Sequence, residues 1–128
     1  MMFKNLLTIP IIFTIMATAL PISTATIVGK WECTSLTALE NGKESGTVRF
    51  NPGNVVYTYR GDKTWQLDSN LGKGKAGMKG TFELRDDDLI LTKSDGKVYK
   101  DFHLALKDDG KTLVMKDEGS LVTASKID

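Results

Sequence analysis

Few residues in this 128-residue chain have the chemistry to act as a reactive group, and they are scattered. His103 is the only histidine and Cys33 the only cysteine. Metal sites built from several His or Cys ligands are therefore excluded by count. Asp101 and Ser125 are the candidate partners for a catalytic His103. But His103 alternates with Phe102 and Leu104, so a solvated position on the outer face of a strand is expected, with no catalytic part. Gly72-Lys73-Gly74-Lys75-Ala76-Gly77 has the G-x-G-x-x-G spacing of a dinucleotide loop. That motif works only between a strand and a helix of a βαβ unit, and no helical pattern follows it. Gly110-Lys111-Thr112 ends like a phosphate loop, yet Ala105 stands where the upstream glycine is required. The acidic groups at Asp86-Asp87-Asp88, Asp108-Asp109 and Asp117-Glu118 suit turns, where Asp side chains bond nearby backbone N–H groups. They lack the spacing of a calcium loop. No catalytic residue, metal site or cofactor is expected, and the chain is read as a non-enzyme.

The aromatic residues carry the strongest functional suggestion. Tyr57, Tyr59, Trp65 and Phe82 fall on apolar faces of consecutive alternating segments. If those faces point inward, they line a cavity with apolar walls and a few hydroxyls, as small-molecule pockets do. Lys100 shares the alternation of Val98 and Phe102. It either snorkels to an end of the sheet or neutralises an acidic ligand head group.

The elements that must position these residues are strands. Residues 1–25 stand apart: Lys4 near the start, an uncharged apolar stretch over residues 6–22, then Ser23-Thr24-Ala25. This is the pattern of a secretory signal peptide, with cleavage expected after Ala25 and Ala19 as the second choice. The apolar stretch is short for a membrane span and contains Pro10 and Pro21. Removal leaves one domain, residues 26–128, exported to the periplasm or the extracellular space and with no stable membrane span. It loses only Lys4 among charged residues, leaving 16 basic against 16 acidic. A neutral, evenly mixed surface gives nucleic acid no electrostatic footprint. With one cysteine no internal disulfide can form, so the core alone must hold the domain, and Cys33 is expected to be buried and inert. A monomer is expected.

Within residues 26–128 no segment shows sustained helical periodicity. Eight or nine short alternating runs are separated by turn sequences, among them Asn41-Gly42, Pro52-Gly53, Asp95-Gly96 and Asp109-Gly110. The stretch of residues 69–77, opening at Ser69 and closing at Gly77, is rich in Gly and Lys and reads as an exposed loop. The fold class is all-β: an antiparallel up-and-down meander. A meander this long leaves two open edges unless it closes, so a barrel of eight or nine strands is the expected solution.

Gly29 and Trp31 on the first run form a Gly-x-Trp, and Gly80-Thr81-Phe82-Glu83-Leu84 followed by Asp88-Leu89-Ile90-Leu91-Thr92 forms a typical later hairpin. With the meander, these phrases resemble the small bacterial lipocalin-like domains of the calycin superfamily. The resemblance implies that Trp31 packs across a closed end of the barrel, as a structural plug. It also implies a basic side chain from the last strands set over that ring. Lys126 is the only residue placed to do this.

Two functions follow. The first is an exported protein binding a small hydrophobic or amphipathic ligand in the barrel, through Tyr57, Tyr59, Trp65, Phe82 and Lys100. The second is an inhibitor or adaptor that binds a protein partner through the 69–77 loop. An apolar internal cavity of ~300–1,000 Å3 favours the first, and a filled interior with an ordered protruding segment favours the second.

Overall fold

The computed structural model of the protein describes residues 21–71 and 74–127. Residues 1–20, most of the segment expected to be a signal peptide, lie outside them. The chain opens with a single helical turn, α1 (Thr24–Ile27), followed by β1 (Gly29–Glu40), β2 (Lys43–Arg49), β3 (Val55–Tyr59), β4 (Thr64–Leu71), β5 (Gly74–Arg85), β6 (Asp88–Lys93), β7 (Val98–Lys107), β8 (Thr112–Lys116) and β9 (Ser120–Lys126). A 3-10 turn at Asp108–Gly110 joins β7 to β8. No helix among the described residues is long and apolar enough to cross a membrane.

All strand pairings are antiparallel, and β9 pairs with β1 to close the sheet into a barrel. Eight strands make the closed wall and β2 is the extra one. β9 occupies one edge of β1 from Trp31 to Ala38. β3, against Gly29–Glu32, and β2, against Ser35–Glu40, must therefore share the other edge. They run in the same direction along it and are separated by the bend at Asn51-Pro52-Gly53. Pro52 cannot donate to a ladder, so a break in pairing falls where the sequence puts it. The β1–β2 turn is Asn41-Gly42, both with positive φ (53° and 79°), the geometry whose twist matches that of paired strands.

Two expectations need correction. Residues 69–77 are not an irregular loop. Ser69, Asn70 and Leu71 continue β4, and Gly74 to Gly77 begin β5, paired from Ser69–Ala76 to Leu71–Gly74. Only Gly72 and Lys73, outside the described residues, separate the strands. Gly and Lys disguise a strand whose flanks are solvated. The 72–77 glycine motif therefore runs into a strand rather than a helix. Second, Val98 does not share a face with Lys100. A bulge between the Leu91–Lys100 and Thr92–Val98 pairs shifts the alternation there. Val98 lies exposed, while Tyr99 and Lys100 both turn towards the barrel end.

The core fills the barrel. Directly paired residues of an antiparallel sheet point to the same face, so the inward side chains form rows round the wall. Leu106, Leu113, Ala124 and Cys33 make one row, and Leu84, Leu89 and Phe102 part of another. One end is closed by α1 and Trp31. Ser23 accepts from the Thr26 N–H and Thr26 Oγ1 accepts from the Ser23 N–H, a reciprocal cap on the turn. Ile27 is fully buried, and its carbonyl accepts the Trp31 indole N–H at 2.8 Å. The Lys126 ammonium sits 5.7 Å from the Trp31 ring centroid. That distance allows a cation–π contact, so Lys126 takes the position a basic partner of this Trp requires.

Candidate functional site

The structure brings four of the five expected ligand residues together inside the barrel. Tyr57 and Tyr59 sit two apart on β3 with stacked rings 6.0 Å apart. Tyr59 meets the Phe82 ring edge-on at 5.7 Å, and Tyr57 meets Phe102 at 6.3 Å. The Tyr59 hydroxyl donates to Met115 Sδ at 3.2 Å. Trp65, opposite Tyr59, donates its indole N–H to the Thr92 carbonyl at 2.9 Å and stacks on Tyr99 at 5.5 Å. Gly80 makes that geometry possible. A Cβ at Gly80 would lie 1.7 Å from the Thr92 oxygen, so only glycine lets β5 and β6 approach there. Lys100 extends to the β8–β9 turn and pairs with Asp117 at 2.9 Å.

Burial divides these residues. A cavity able to hold water would leave solvent-accessible area on the side chains lining it. Tyr59, Trp65, Phe102, Leu104 and Met115 have almost none. Burial drives the Tyr57 phenol upward first, with Tyr99 adding to it, and drives Tyr59 well above its ordinary value. Burial also pushes the Cys33 thiol up to about 12, so it stays protonated and unreactive. The lower barrel is packed.

Accessible apolar surface appears higher up, as one inward row shows. Leu104, Met115, Val122, Leu36 and Val48 are paired in succession across β7, β8, β9, β1 and β2. The first three are buried, Leu36 is half-buried, and Val48 is 55% exposed. A second row runs from buried Tyr57 to half-buried Leu67 and Met78. Leu71, four residues beyond Leu67 and so on the same face, is 48% exposed. The inner faces of the β1–β2 and β4–β5 hairpins carry these half-exposed apolar residues, Leu36 and Val48 on one and Leu67, Leu71 and Met78 on the other, together termed the collar. Val48, Leu71, Leu67 and Met78 were not singled out by sequence reasoning. Their one signal was alternation, which says which face a residue takes but not whether anything covers it.

Beside Tyr99, 5.8 Å from its ring centroid, the Lys100 ammonium pairs with Asp117. Burial alone would raise the Asp117 carboxyl. The Lys100 ammonium and the donors of Gly119 and Ser120 outweigh it, and the group titrates below its ordinary value. The ammonium already has a counter-charge, so Lys100 is not an isolated cation waiting for an acid. An open groove of about 570 Å3 runs past this pair, between Val98 to Asp101 and Asp117 to Ser120. Another, of about 560 Å3, lies between the β4–β5 hairpin and the β6–β7 turn, with Met78 among otherwise mostly polar walls. His103 lies on the outer surface with Nδ1 3.1 Å from Asp88, and neither Asp101 nor Ser125 contacts it. Among the described residues, no three His, Cys, Asp or Glu side chains converge as a metal site requires.

Two solved structures superpose on this barrel. A lipocalin-like protein from Bacteroides uniformis matches 80% of the chain over 99% of its own, with a TM-score of 0.64 and 13% identity. An uncharacterized protein from Bacteroides eggerthii matches 79% of the chain over 99% of its own, with a TM-score of 0.60 and 16% identity. The fold is that of a lipocalin-like barrel. No protein-family model and no curated protein matches the sequence. At such identities the likeness establishes architecture, and function must be argued from the site.

Proposed function

We propose that this lipocalin-like barrel is an exported binding protein for a small apolar or amphipathic molecule, held in the collar rather than in the depth of the barrel. The observation that carries this is the exposure gradient along inward-facing rows: sealed at Met115, open at Val48 and Leu71. Half-exposed apolar side chains on the inner faces of two hairpins are a surface an apolar ligand would cover. In this reading Tyr57 is the floor, Tyr99 one wall, and the Lys100–Asp117 pair a neutral, hydrogen-bonding rim. Tyr59, Trp65 and Phe82 support the floor from below. The pairing of Lys100 favours an uncharged or zwitterionic polar end over a bare carboxylate.

The test is titration of the domain with 1-anilinonaphthalene-8-sulfonate, followed by displacement with lauryl alcohol and with laurate. We expect saturable fluorescence, displacement by the alcohol at least as readily as by the acid, and about tenfold weaker binding in Leu71→Asp. Fluorescence that does not saturate, or that is unchanged in Leu71→Asp, overturns the reading. A second reading draws on β2, exposed at every residue, and on the filled lower barrel. On that reading the two hairpins engage a protein partner, as an inhibitor or adaptor does. Native mass spectrometry of protein exported and purified without detergent separates the two: a co-purifying small molecule supports the first, and a bare chain the second.

A further inference from the structure

We infer that the exported protein begins at Leu20, because the leader is cut after Ala19 and not after Ala25. Both positions satisfy the small-residue rule: Ala17-Thr18-Ala19 places alanine at both recognised positions, and Ser23-Thr24-Ala25 places serine and alanine there. From the sequence the cut is expected after Ala25 with Ala19 second, and the contacts made by residues 21–25 reverse that order. Residues 21–27 form the plug at the closed end of the barrel. The Ser23 side chain accepts from the Thr26 N–H, and Thr26 Oγ1 accepts from the Ser23 N–H at 2.9 Å while donating to the Pro21 or Ser23 carbonyl, both at 3.0 Å. The Ser23 carbonyl also accepts from the Ile27 N–H, and that of Thr24 from the Val28 N–H. Ile22 packs on the core.

A cut after Ala25 would remove every one of those partners. It would leave Thr26 as an α-ammonium group next to fully buried Ile27, whose carbonyl holds the Trp31 indole N–H. The Ile27 and Val28 N–H groups would lose the Ser23 and Thr24 carbonyls that accept from them, and Ile27 would lose part of its cover. A cut after Ala19 leaves the whole plug attached.

This inference rests on the export reading but not on ligand binding. The experiment expresses the full chain in a bacterium with a periplasm and determines the amino terminus of the periplasmic product by intact mass and terminal sequencing. A terminus at Leu20 is expected, and one at Thr26 overturns the inference while leaving export intact. An uncut chain starting at Met1 overturns export with it. Ala19→Leu should cause the precursor to accumulate, whereas Ala25→Leu should be processed as the parent is. Processing of Ala19→Leu to Thr26 would contradict the inference. As an independent check, protein starting at Thr26 should melt roughly 5–10 °C lower than protein starting at Leu20. Equal melting temperatures would show that the plug does not need residues 20–25.

Discussion

The two ends of the barrel are built from the same alternation and finish in opposite states. At the closed end, α1 lies across the opening, Trp31 fills it, and Ile27 is sealed beneath. At the other end, the β1–β2 and β4–β5 hairpins carry apolar residues on their inner faces that no described residue covers, and Val48 and Leu71 are exposed. The contrast shows that an inward-facing position becomes core only where some other element supplies the covering atoms. Strand periodicity sets orientation, and chain connectivity decides burial.

Several substitutions would break or sharpen this contrast. Phe102→Ala, in the sealed half, should cost about 3–5 kcal/mol in urea unfolding, whereas Leu71→Ala in the collar should stay within about 0.5 kcal/mol. Comparable losses at both would mean that the collar is as packed as the base. Gly80→Ala places a methyl group against the Thr92 carbonyl backbone and should cost about 2–3 kcal/mol. It should also disturb Trp65, visible as a shift in tryptophan emission, and an unchanged spectrum would argue against the close approach.

An effect confined to alkaline pH comes from the buried acids. The folded-state values of Cys33, Tyr57 and Tyr59 all lie above their ordinary ones. Above about pH 9 the unfolded chain releases protons that the folded chain keeps, so stability present below that pH is lost as pH rises. The slope should approach about 1.4 kcal/mol per pH unit for each group as the unfolded chain titrates. A flat urea midpoint between pH 8 and 11 would show that these groups are not sealed. The smallest effect belongs to the mouth. Asp117 titrates below its ordinary value, so its contribution is present above about pH 4 and disappears as pH falls through the lower folded value. Lys100→Met should cost less than about 1 kcal/mol at pH 7 and should reduce this acid-side dependence. A larger loss would mean the ion pair holds the β8–β9 turn in place.

Much of the wall was legible in the sequence. Asn41-Gly42 and Asp95-Gly96 marked hairpins, and Phe102, Leu104 and Leu106 showed their common face without ambiguity. Closure followed from the cost of open edges. What escaped was of three kinds. Residues 69–77 looked like a loop because Gly and Lys are poor strand residues, yet pairing with a neighbouring strand outweighs propensity. The bulge at Tyr99 cannot be read from alternation, since a single extra residue reverses the face of everything before it. The plug at residues 21–27 was hidden because its small residues also fit a cleavage site. Of the proposed site, Tyr57 and Lys100 were among the residues the sequence singled out, while the exposure of Val48 and Leu71 cannot be read from alternation.

The most direct test of a sealed base and an open collar is a methyl NMR titration with lauryl alcohol. Ligand-induced shifts should be confined to Val48, Leu36, Leu67, Leu71 and Met78, with Leu104, Leu113 and Met115 unmoved. Shifts at Leu113 and Met115 as large as those at Leu71 would place the ligand inside the barrel and contradict the account.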